Sequence, residues 1–449
     1  MMIKRVVLVV VGLLFVGLLS MESWLGISPW RMQDNLVVVT GLAAKLTCSG
    51  RHLSHLDAEQ ALQDVVSYSA IASALNVDYD DAAGSVTVDL YGLSKTSARY
   101  REGLGCTLET GDTSALDSIV VPQLAASDGA WPAGSNVATI VADHQSLLQQ
   151  MLDHDNAAGL NTRALLMVRD GQIVAESYAE GFDAFTPLMG WSMGKSLTSI
   201  MLGHFEMQGR LDVGEDQLFD AWANDERSGI TIENLLRMSS GLEFEEIYAP
   251  GSDATHMLIS AHSASSVALQ SELAESPGDY FYYSSGTTNL LQKLLFDRLG
   301  GTSQASVDYL YKEIFRPLAM VRSVLEPDPS GVFVGSSYIY ASARDWARMG
   351  QLMLAGGELN GVRLLSEDWV HRVSLPNTST NDPRYGYQFW LNRGGEALRW
   401  PSLPDDAYAM MGNRQQTVMI VPSQNAVLVR LGWTSGPYPL DGNFSAMLR

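Results

Sequence analysis

The chain has 449 residues, 46% of them hydrophobic and 18% charged, so it can bury a large core and is expected to form more than one folding unit. Its formal net charge of −21 at pH 7 repels the phosphate backbone of nucleic acids, and nucleic-acid binding is therefore set aside as a function. The eight histidines are scattered and no glycine-rich phosphate loop is present, so the sequence predicts neither a metal site nor a cofactor.

The first predicted element is an apolar segment at the N-terminus. Lys4 and Arg5 precede an apolar run over residues 6–19, the pattern of an export signal. The run is shorter than the about 20 residues of a membrane span. No small-x-small cleavage site follows it, however, and residues 24–27 could lengthen it. We predict that residues 1–27 are a signal peptide or a membrane anchor, with a buried helix as the remaining alternative. Either of the first two places the rest of the chain in the periplasm, free or anchored to the inner membrane.

Residues 28–150 are predicted to form an N-terminal accessory region without a catalytic motif. Helix-like "DAEQALQDVVSY" is followed by the alternating run "GSVTVDLYG", and turn-rich "SDGAWPAGSN" predicts a linker or loop. The chain's two cysteines, Cys48 and Cys106, both fall in this region. Because export makes oxidation available, we predict that they form a disulfide, the alternative being two buried free thiols.

Residues 151–449 form the second predicted unit. "RALLMVRDGQIVAESY" predicts a β-hairpin around Asp170 and Gly171, and "AYAMMGNRQQTVMIVPSQNAVLVRLGW" predicts three further strands near the other end. Helix-like segments lie between them. The strands at the two ends of this region need partners, and the simplest arrangement is that they pair with each other. The pattern predicts an α/β (α+β) fold, in which one antiparallel sheet is built from both ends of the region, flanked by helices, with a helical subdomain inserted.

A serine and a lysine begin one helix-like segment, "WSMGKSLTSIMLGHFEMQG". Ser192 and Lys195 are three residues apart, so a helix brings both to one face. A serine hydroxyl becomes a nucleophile when a base takes its proton, and a lysine can serve once burial or the helix N-terminus lowers its pKa. The alternative is an N-cap serine beside a solvated lysine.

Two further motifs carry polar groups suited to the same chemistry. In "SPGDYFYYSSGTTNLL", Tyr283 and Ser285 could project into a cleft, and a neighbouring ammonium would ease ionisation of the phenol. In "MMGNRQQ", Gly412 lets a ligand approach the backbone, and an edge strand offers N–H groups to an oxyanion. The alternatives are an aromatic loop packed on the core and an ordinary hairpin.

These three motifs, with the blocks "LDVGED", "ITIENLLRMSSGL" and "SARDWARMGQLML", resemble the serine β-lactamase-fold hydrolases over roughly residues 155–435. That superfamily includes class C β-lactamases, D,D-peptidases, esterases and 6-aminohexanoate-oligomer hydrolases, and the resemblance implies a β-lactamase/transpeptidase-like fold. It implies that Ser192 is the nucleophile, Lys195 its partner in proton transfer and Tyr283 the general base. Ser285 would support the site by hydrogen bonding. The backbone N–H groups of Ser192 and Asn413 would form the oxyanion hole.

The third motif departs from the β-lactamase pattern. The β-lactamases and peptidases usually carry Lys-Thr-Gly or His-x-Gly there, whereas this chain has Met411, Gly412 and Asn413, which argues against efficient β-lactamase action. "GNRQQ" is instead similar to the 6-aminohexanoate-dimer hydrolase group. We expect Gly412 and Arg414 to contact the substrate, with Arg414 supplying the missing positive charge. Ser285 also replaces the asparagine of many class C enzymes, which leaves substrate preference open.

The resulting prediction is an exported serine hydrolase that cleaves a small amide or ester through an acyl-enzyme on Ser192. Its partner is then a small-molecule substrate, and the N-terminal segment provides any membrane attachment. One alternative is a peptidoglycan-directed D,D-peptidase or β-lactamase-related enzyme. Another is an inactive cell-wall binding or sensor protein on the same fold.

Overall fold

The computed structural model describes residues 32–138 and 140–449, so the predicted export segment lies outside the described residues. Within these ranges, no helix has both the length and the apolar character that a membrane span needs. The α-helices are α1 (Met32–His52), α2 (Ala58–Val66), α3 (Ala142–Ala157), α4 (Gly194–Met207), α5 (Ile232–Leu236), α6 (Asp253–Thr255), α7 (Ala264–Leu269), α8 (Ser285–Arg298), α9 (Ser303–Tyr309), α10 (Ala343–Leu354), α11 (Glu367–Val373) and α12 (Leu440–Leu448). The strands are β1 (Asn76–Asp80), β2 (Ser85–Leu90), β3 (Ser94–Arg101), β4 (Gly105–Leu108), β5 (Thr162–Arg169), β6 (Gln172–Tyr178), β7 (Leu188–Met189), β8 (Ser323–Leu325), β9 (Ile339–Ala341), β10 (Glu358–Leu359), β11 (Val362–Arg363), β12 (Trp390–Leu391), β13 (Tyr408–Gly412), β14 (Gln416–Val421) and β15 (Ala426–Gly432).

The N-terminal region is a four-stranded antiparallel sheet, β1 to β4 in sequence order, packed against α1. The alternation read from "GSVTVDLYG" holds in β2, where buried and half-buried residues alternate because successive side chains point to opposite faces. Asp57 caps α2 by accepting a hydrogen bond from the N–H of Gln60. The predicted disulfide is confirmed: Cys48 on α1 is bonded to Cys106 on β4, with their Cα atoms 6.0 Å apart.

Buried polar contacts fasten this region to the rest of the chain. Lys45 on α1 forms a fully buried ion pair with Glu326, with Nζ 2.5 Å from Oε2. The other carboxylate oxygen of Glu326 accepts hydrogen bonds from Ser49 Oγ and from the N–H of Cys106. If the two regions separated, each would lose the partner of its buried charge. The pair therefore couples the N-terminal region to the rest of the chain.

The larger sheet has six antiparallel strands in the order β12, β13, β14, β15, β5, β6. The turn between β5 and β6 consists of Asp170 and Gly171, both with positive φ, as the hairpin prediction requires. The pairing of β15 with β5 joins strands from opposite ends of the region. The predicted single sheet, with helices α4 to α11 inserted between its two halves, is therefore confirmed.

Helices cover both faces of this sheet. Leu166 and Val168 of β5 face a core that includes residues of α10, whereas Leu165 and Met167 face a second core formed with α3 and α12. Because adjacent residues of a strand point to opposite faces, a continuous apolar strand is expected for a sheet buried on both sides. Helix α3 runs across the predicted boundary between residues 150 and 151 and packs on this sheet.

Candidate active site

Ser192 lies in a tight turn that leads into α4. The short strand β7 pairs with β9, and the N–H of Gly190 donates to the carbonyl of Ile339, which fixes where the turn starts. Trp191 has φ of 49°, a left-handed conformation that is unfavourable for a bulky side chain and persists only when its surroundings enforce it. Its ring contacts those of Tyr68 and Trp433. The N-terminal region thus helps to hold the turn that presents Ser192.

Lys195 follows one helical turn later and is buried, which rules out a solvated lysine. Its Nζ atom donates hydrogen bonds to Ser192 Oγ at 3.2 Å, to Ser285 Oγ at 3.0 Å and to the carbonyl of Ser336 at 3.1 Å. Burial lowers the pKa of Lys195 to about 8, and the negative charge of Glu246 opposes part of this shift. An appreciable fraction of the amine is therefore neutral near physiological pH and able to accept a proton.

Tyr283 brings its phenol to the same place. Burial raises the pKa of Tyr283; a hydrogen bond with Ser192 opposes the shift, and Glu246 adds to it. The ring stacks on Trp390 at 5.1 Å between centroids, and Lys195 Nζ lies 4.7 Å from the centre of the phenol ring. Burial thus acts against the easier ionisation that the sequence predicts for this phenol. Tyr283 is therefore protonated at neutral pH, whereas the pKa of Lys195, about 8, lies close to neutral pH.

Ser285, the first residue of α8, connects Lys195 to a glutamate. Its hydroxyl accepts from Lys195 and donates to Glu246 Oε1 at 2.5 Å, while its N–H donates to Glu246 Oε2 at 2.7 Å. Tyr248 also donates to Glu246 Oε1, at 2.9 Å. Glu246 and Tyr248 were not predicted from the sequence. They occur in "LEFEEIY", whose three glutamates match no motif spacing, and only the course of the loop brings one of them to Ser285.

The third motif packs directly on the nucleophile's turn. A Cβ atom on Gly412 would lie 2.0 Å from the carbonyl oxygen of Gly190 and 3.2 Å from the N–H nitrogen of Ser192. Only glycine fits this contact, so the end of β13 reaches the backbone of the nucleophile. Asn413 follows immediately and begins the turn to β14, where its side chain accepts a hydrogen bond from the N–H of Arg414.

The Arg414 side chain is buried against the N-terminal region. Its guanidinium lies 3.6 Å from the centre of the Tyr68 ring, and Nη1 donates to Ser435 Oγ at 2.6 Å. The structure thus brings Ser192, Lys195, Tyr283 and Ser285 together and places Gly412 and Asn413 beside them, whereas the charge of Arg414 faces Tyr68. In the described part of the chain, no group of acidic, histidine or cysteine side chains has the arrangement of a metal site.

Most of the chain is similar to known proteins. The family model described as Beta-lactamase matches residues 145–443. The 6-aminohexanoate-dimer hydrolase of Paenarthrobacter ureafaciens is 23% identical over 300 residues, which cover 62% of this chain and 74% of that protein.

Solved structures share the fold at low identity. A Bacillus anthracis protein named as a candidate 6-aminohexanoate-dimer hydrolase has a TM-score of 0.56 and 20% identity, covering 75% of this chain and 88% of that one. EstCE1, described as a hydrolase with promiscuous acyltransferase activity, has a TM-score of 0.55 and 14% identity, covering 68% of this chain and 97% of its own. Both matches extend over most of the relative's length.

Proposed function

The chain belongs to the beta-lactamase family and is a serine hydrolase, and we propose that it cleaves a small amide or ester through an acyl-enzyme on Ser192. The observation that carries this proposal is the buried amine of Lys195, 3.2 Å from the Ser192 hydroxyl and with its pKa lowered to about 8. A lysine held in this way is a base matched to neutral pH, which is what an unactivated serine requires.

In the first step, the neutral Lys195 amine accepts the proton of Ser192 as Oγ attacks the substrate carbonyl carbon. The two N–H groups that the neutral amine retains match the acceptors present, Ser285 Oγ and the carbonyl of Ser336. Negative charge then develops on the carbonyl oxygen. The N–H groups of Ser192 and Asn413 would stabilise it, each such donor contributing about 3 kcal/mol.

In the second step, the leaving amine or alcohol departs with a proton and leaves Ser192 acylated. Tyr283, protonated because it is buried, donates this proton and is reprotonated by the ammonium of Lys195. Water then attacks the acyl-enzyme and gives up its proton along the same groups in reverse, which releases the acid and restores Ser192. This scheme assigns the resting base to Lys195 and makes Tyr283 the proton carrier.

The charges around the site favour a substrate without a carboxylate near the scissile bond. The third motif contains no lysine or histidine, and the guanidinium of Arg414 faces the Tyr68 ring. The Glu246 carboxylate, which accepts a hydrogen bond from Ser285, adds negative charge near the site. β-Lactams and D-Ala-D-Ala peptides both carry a carboxylate that needs a cationic partner. The amide implied by the name of the Paenarthrobacter ureafaciens relative supports the same substrate class.

The rival function is a binding or sensor protein that has lost turnover. A binding site has no need for a buried lysine with a lowered pKa in contact with a serine hydroxyl, so the set formed by Ser192, Lys195 and Tyr283 favours the enzyme. We also infer export to the periplasm. The Cys48–Cys106 disulfide supports it, because such bonds persist in oxidising compartments.

A hydrolysis screen tests the proposal. Wild type is assayed on p-nitrophenyl esters, short amides, nitrocefin and a D-Ala-D-Ala peptide, with Ser192→Ala as the control for uncatalysed and contaminating activity. The proposal expects ester and amide cleavage that vanishes in Ser192→Ala, with nitrocefin and the peptide at least about tenfold slower. Preferred cleavage of nitrocefin or the peptide would instead support the alternative enzymes, and no cleavage by folded wild type would support the sensor.

A further inference from the structure

An apolar cavity of about 470 Å³ lies between the N-terminal region and the nucleophile's turn. One wall is α1, which contributes Leu36, Val39 and Leu42, and Ala72 adds to it from the segment after α2. The opposite wall contains Trp191 and Ile259. Its volume falls within the about 300–1,000 Å³ typical of small-molecule sites.

The cavity borders the proposed site. Trp191 directly precedes Ser192, and Asn413, the proposed oxyanion donor, also lines the cavity. Tyr248, which contacts Glu246, lies at the same boundary. A group attached to the reacting carbonyl can therefore enter the cavity while the carbonyl remains at Ser192.

The position of the proton donors indicates which half of the substrate enters. The leaving group must receive its proton from the Lys195 and Tyr283 side of Ser192, and among the described residues neither of these two lines the cavity. The leaving group must also depart before water can reach the acyl-enzyme, and a product retained in a recessed cavity would obstruct this step. The acyl half of the substrate is therefore the half that enters the cavity.

We propose that this cavity binds an aliphatic acyl chain, so that the N-terminal region selects substrates by their acyl group. The inference rests on the proposed acyl-enzyme function and adds the substrate class. The wall formed by α1 and Ala72 lies outside residues 145–443, the part of the chain that the family model matches. Burial of methylene groups against leucine and valine side chains supplies the binding free energy.

The wall is held in place rather than free to move aside. The Cys48–Cys106 disulfide and the Lys45–Glu326 ion pair anchor α1 at its C-terminal half. Nearer the cavity, a Cβ atom on Gly41 would lie 2.5 Å from Cγ2 of Ile259, so α1 is in close contact with the opposite wall. A preformed cavity does not need to be ordered when the ligand binds, which strengthens selection by chain length.

The test compares kcat/KM for p-nitrophenyl acetate and p-nitrophenyl octanoate, which share a leaving group. Wild type is expected to favour octanoate by at least about tenfold. Val39→Trp fills the cavity and should lower kcat/KM for octanoate by about tenfold while changing that for acetate less than about twofold. Val37→Trp is the matched control: it lies on the same helix but does not line the cavity, and both values should be unchanged.

Calorimetric binding of octanamide separates this inference from the proposed function. Octanamide is itself a small amide, so its binding is measured in Ser192→Ala, which cannot cleave it. It should bind Ser192→Ala and bind the double variant Ser192→Ala/Val39→Trp at least about tenfold more weakly. Binding without any ester cleavage would refute the proposed function and keep the cavity assignment. Ester cleavage that is indifferent to chain length, or equal loss of acetate and octanoate activity in Val39→Trp, would overturn the cavity assignment. Leu36→Trp repeats the test should Val39→Trp fail to fold.

Discussion

The Nζ atom of Lys195 lies 3.2 Å from Oγ of Ser192 in a place where only 1% of the lysine is exposed. Loss of hydration disfavours the ammonium, so burial lowers its pKa to about 8 even though Glu246 is nearby. The same burial leaves Tyr283 protonated. The same buried environment therefore suits Lys195 to act as the base and Tyr283 to act as the proton donor. The pH dependence of the reaction should follow the pKa of Lys195.

The first prediction concerns that pH dependence. Below its pKa Lys195 is protonated and cannot accept the Ser192 proton, so kcat/KM should rise about tenfold per pH unit and level off above about pH 8. The measurement is kcat/KM for an uncharged ester, which itself does not titrate, between about pH 6 and pH 9.5. A flat profile through pH 8, or one that falls there, would assign the base to another group.

The second prediction concerns Glu246, whose charge raises the pKa of Lys195. Glu246→Gln removes that charge and retains an oxygen that can accept from Ser285, so the acidic limb of the pH profile should move to lower pH. Glu245→Gln removes the same charge from the adjacent, exposed position and should leave the limb unchanged. If both variants shifted the limb equally, the effect would come from the general charge of the loop.

The third prediction concerns Tyr283 as the proton donor. Tyr283→Phe keeps the ring that stacks on Trp390 and removes the hydroxyl, so the protein should remain folded. An amide needs its leaving amine protonated, and its kcat should fall by about 10²–10⁴. A p-nitrophenyl ester, whose leaving group departs as an anion, should be affected far less. Equal losses on both substrates would contradict this role.

The fourth prediction concerns the coupling of the N-terminal region to the catalytic region. Lys45→Met leaves Glu326 as a buried, unpaired charge and should lower the free energy of unfolding by about 3–5 kcal/mol. Adding Glu326→Gln removes the charge and keeps one oxygen, which can accept from both Ser49 and Cys106, so the double variant should recover part of the loss. Denaturant unfolding is measured on wild type, Lys45→Met, Glu326→Gln alone and the double variant. Strictly additive losses would show that the two residues are not coupled.

Local pattern was sufficient for much of this fold and site. The turn at Asp170 and Gly171 follows from turn chemistry, because it depends on neighbouring residues. The pairing of the terminal strands follows from their periodicity and from the need of each strand for a partner. Helical spacing predicts that Ser192 and Lys195 share one face, but the roles of these two residues came from the family resemblance. Tyr283 and Ser285 came from the resemblance of their motif.

The remaining features depend on how distant segments meet. Glu246 reaches Ser285 only through the course of its loop, and no spacing in the sequence marks it. Arg414 has a left-handed backbone and stacks on Tyr68, a residue more than three hundred positions away in the chain. The cavity walled by α1 has the same origin, because a run such as "NLVVVTGL" predicts an apolar face without indicating what it faces.

The most direct test of the central claim is the site of covalent labelling. The folded protein is treated with a fluorophosphonate, digested and analysed by mass spectrometry, alongside Ser192→Ala and Ser196→Ala. Ser196 is a buried serine on the same helix whose hydroxyl donates to the carbonyl of Gln388, so it serves as a matched control. A single adduct is expected on Ser192, present in wild type and Ser196→Ala and absent from Ser192→Ala. An adduct on another residue, or labelling that persists in Ser192→Ala, would contradict it.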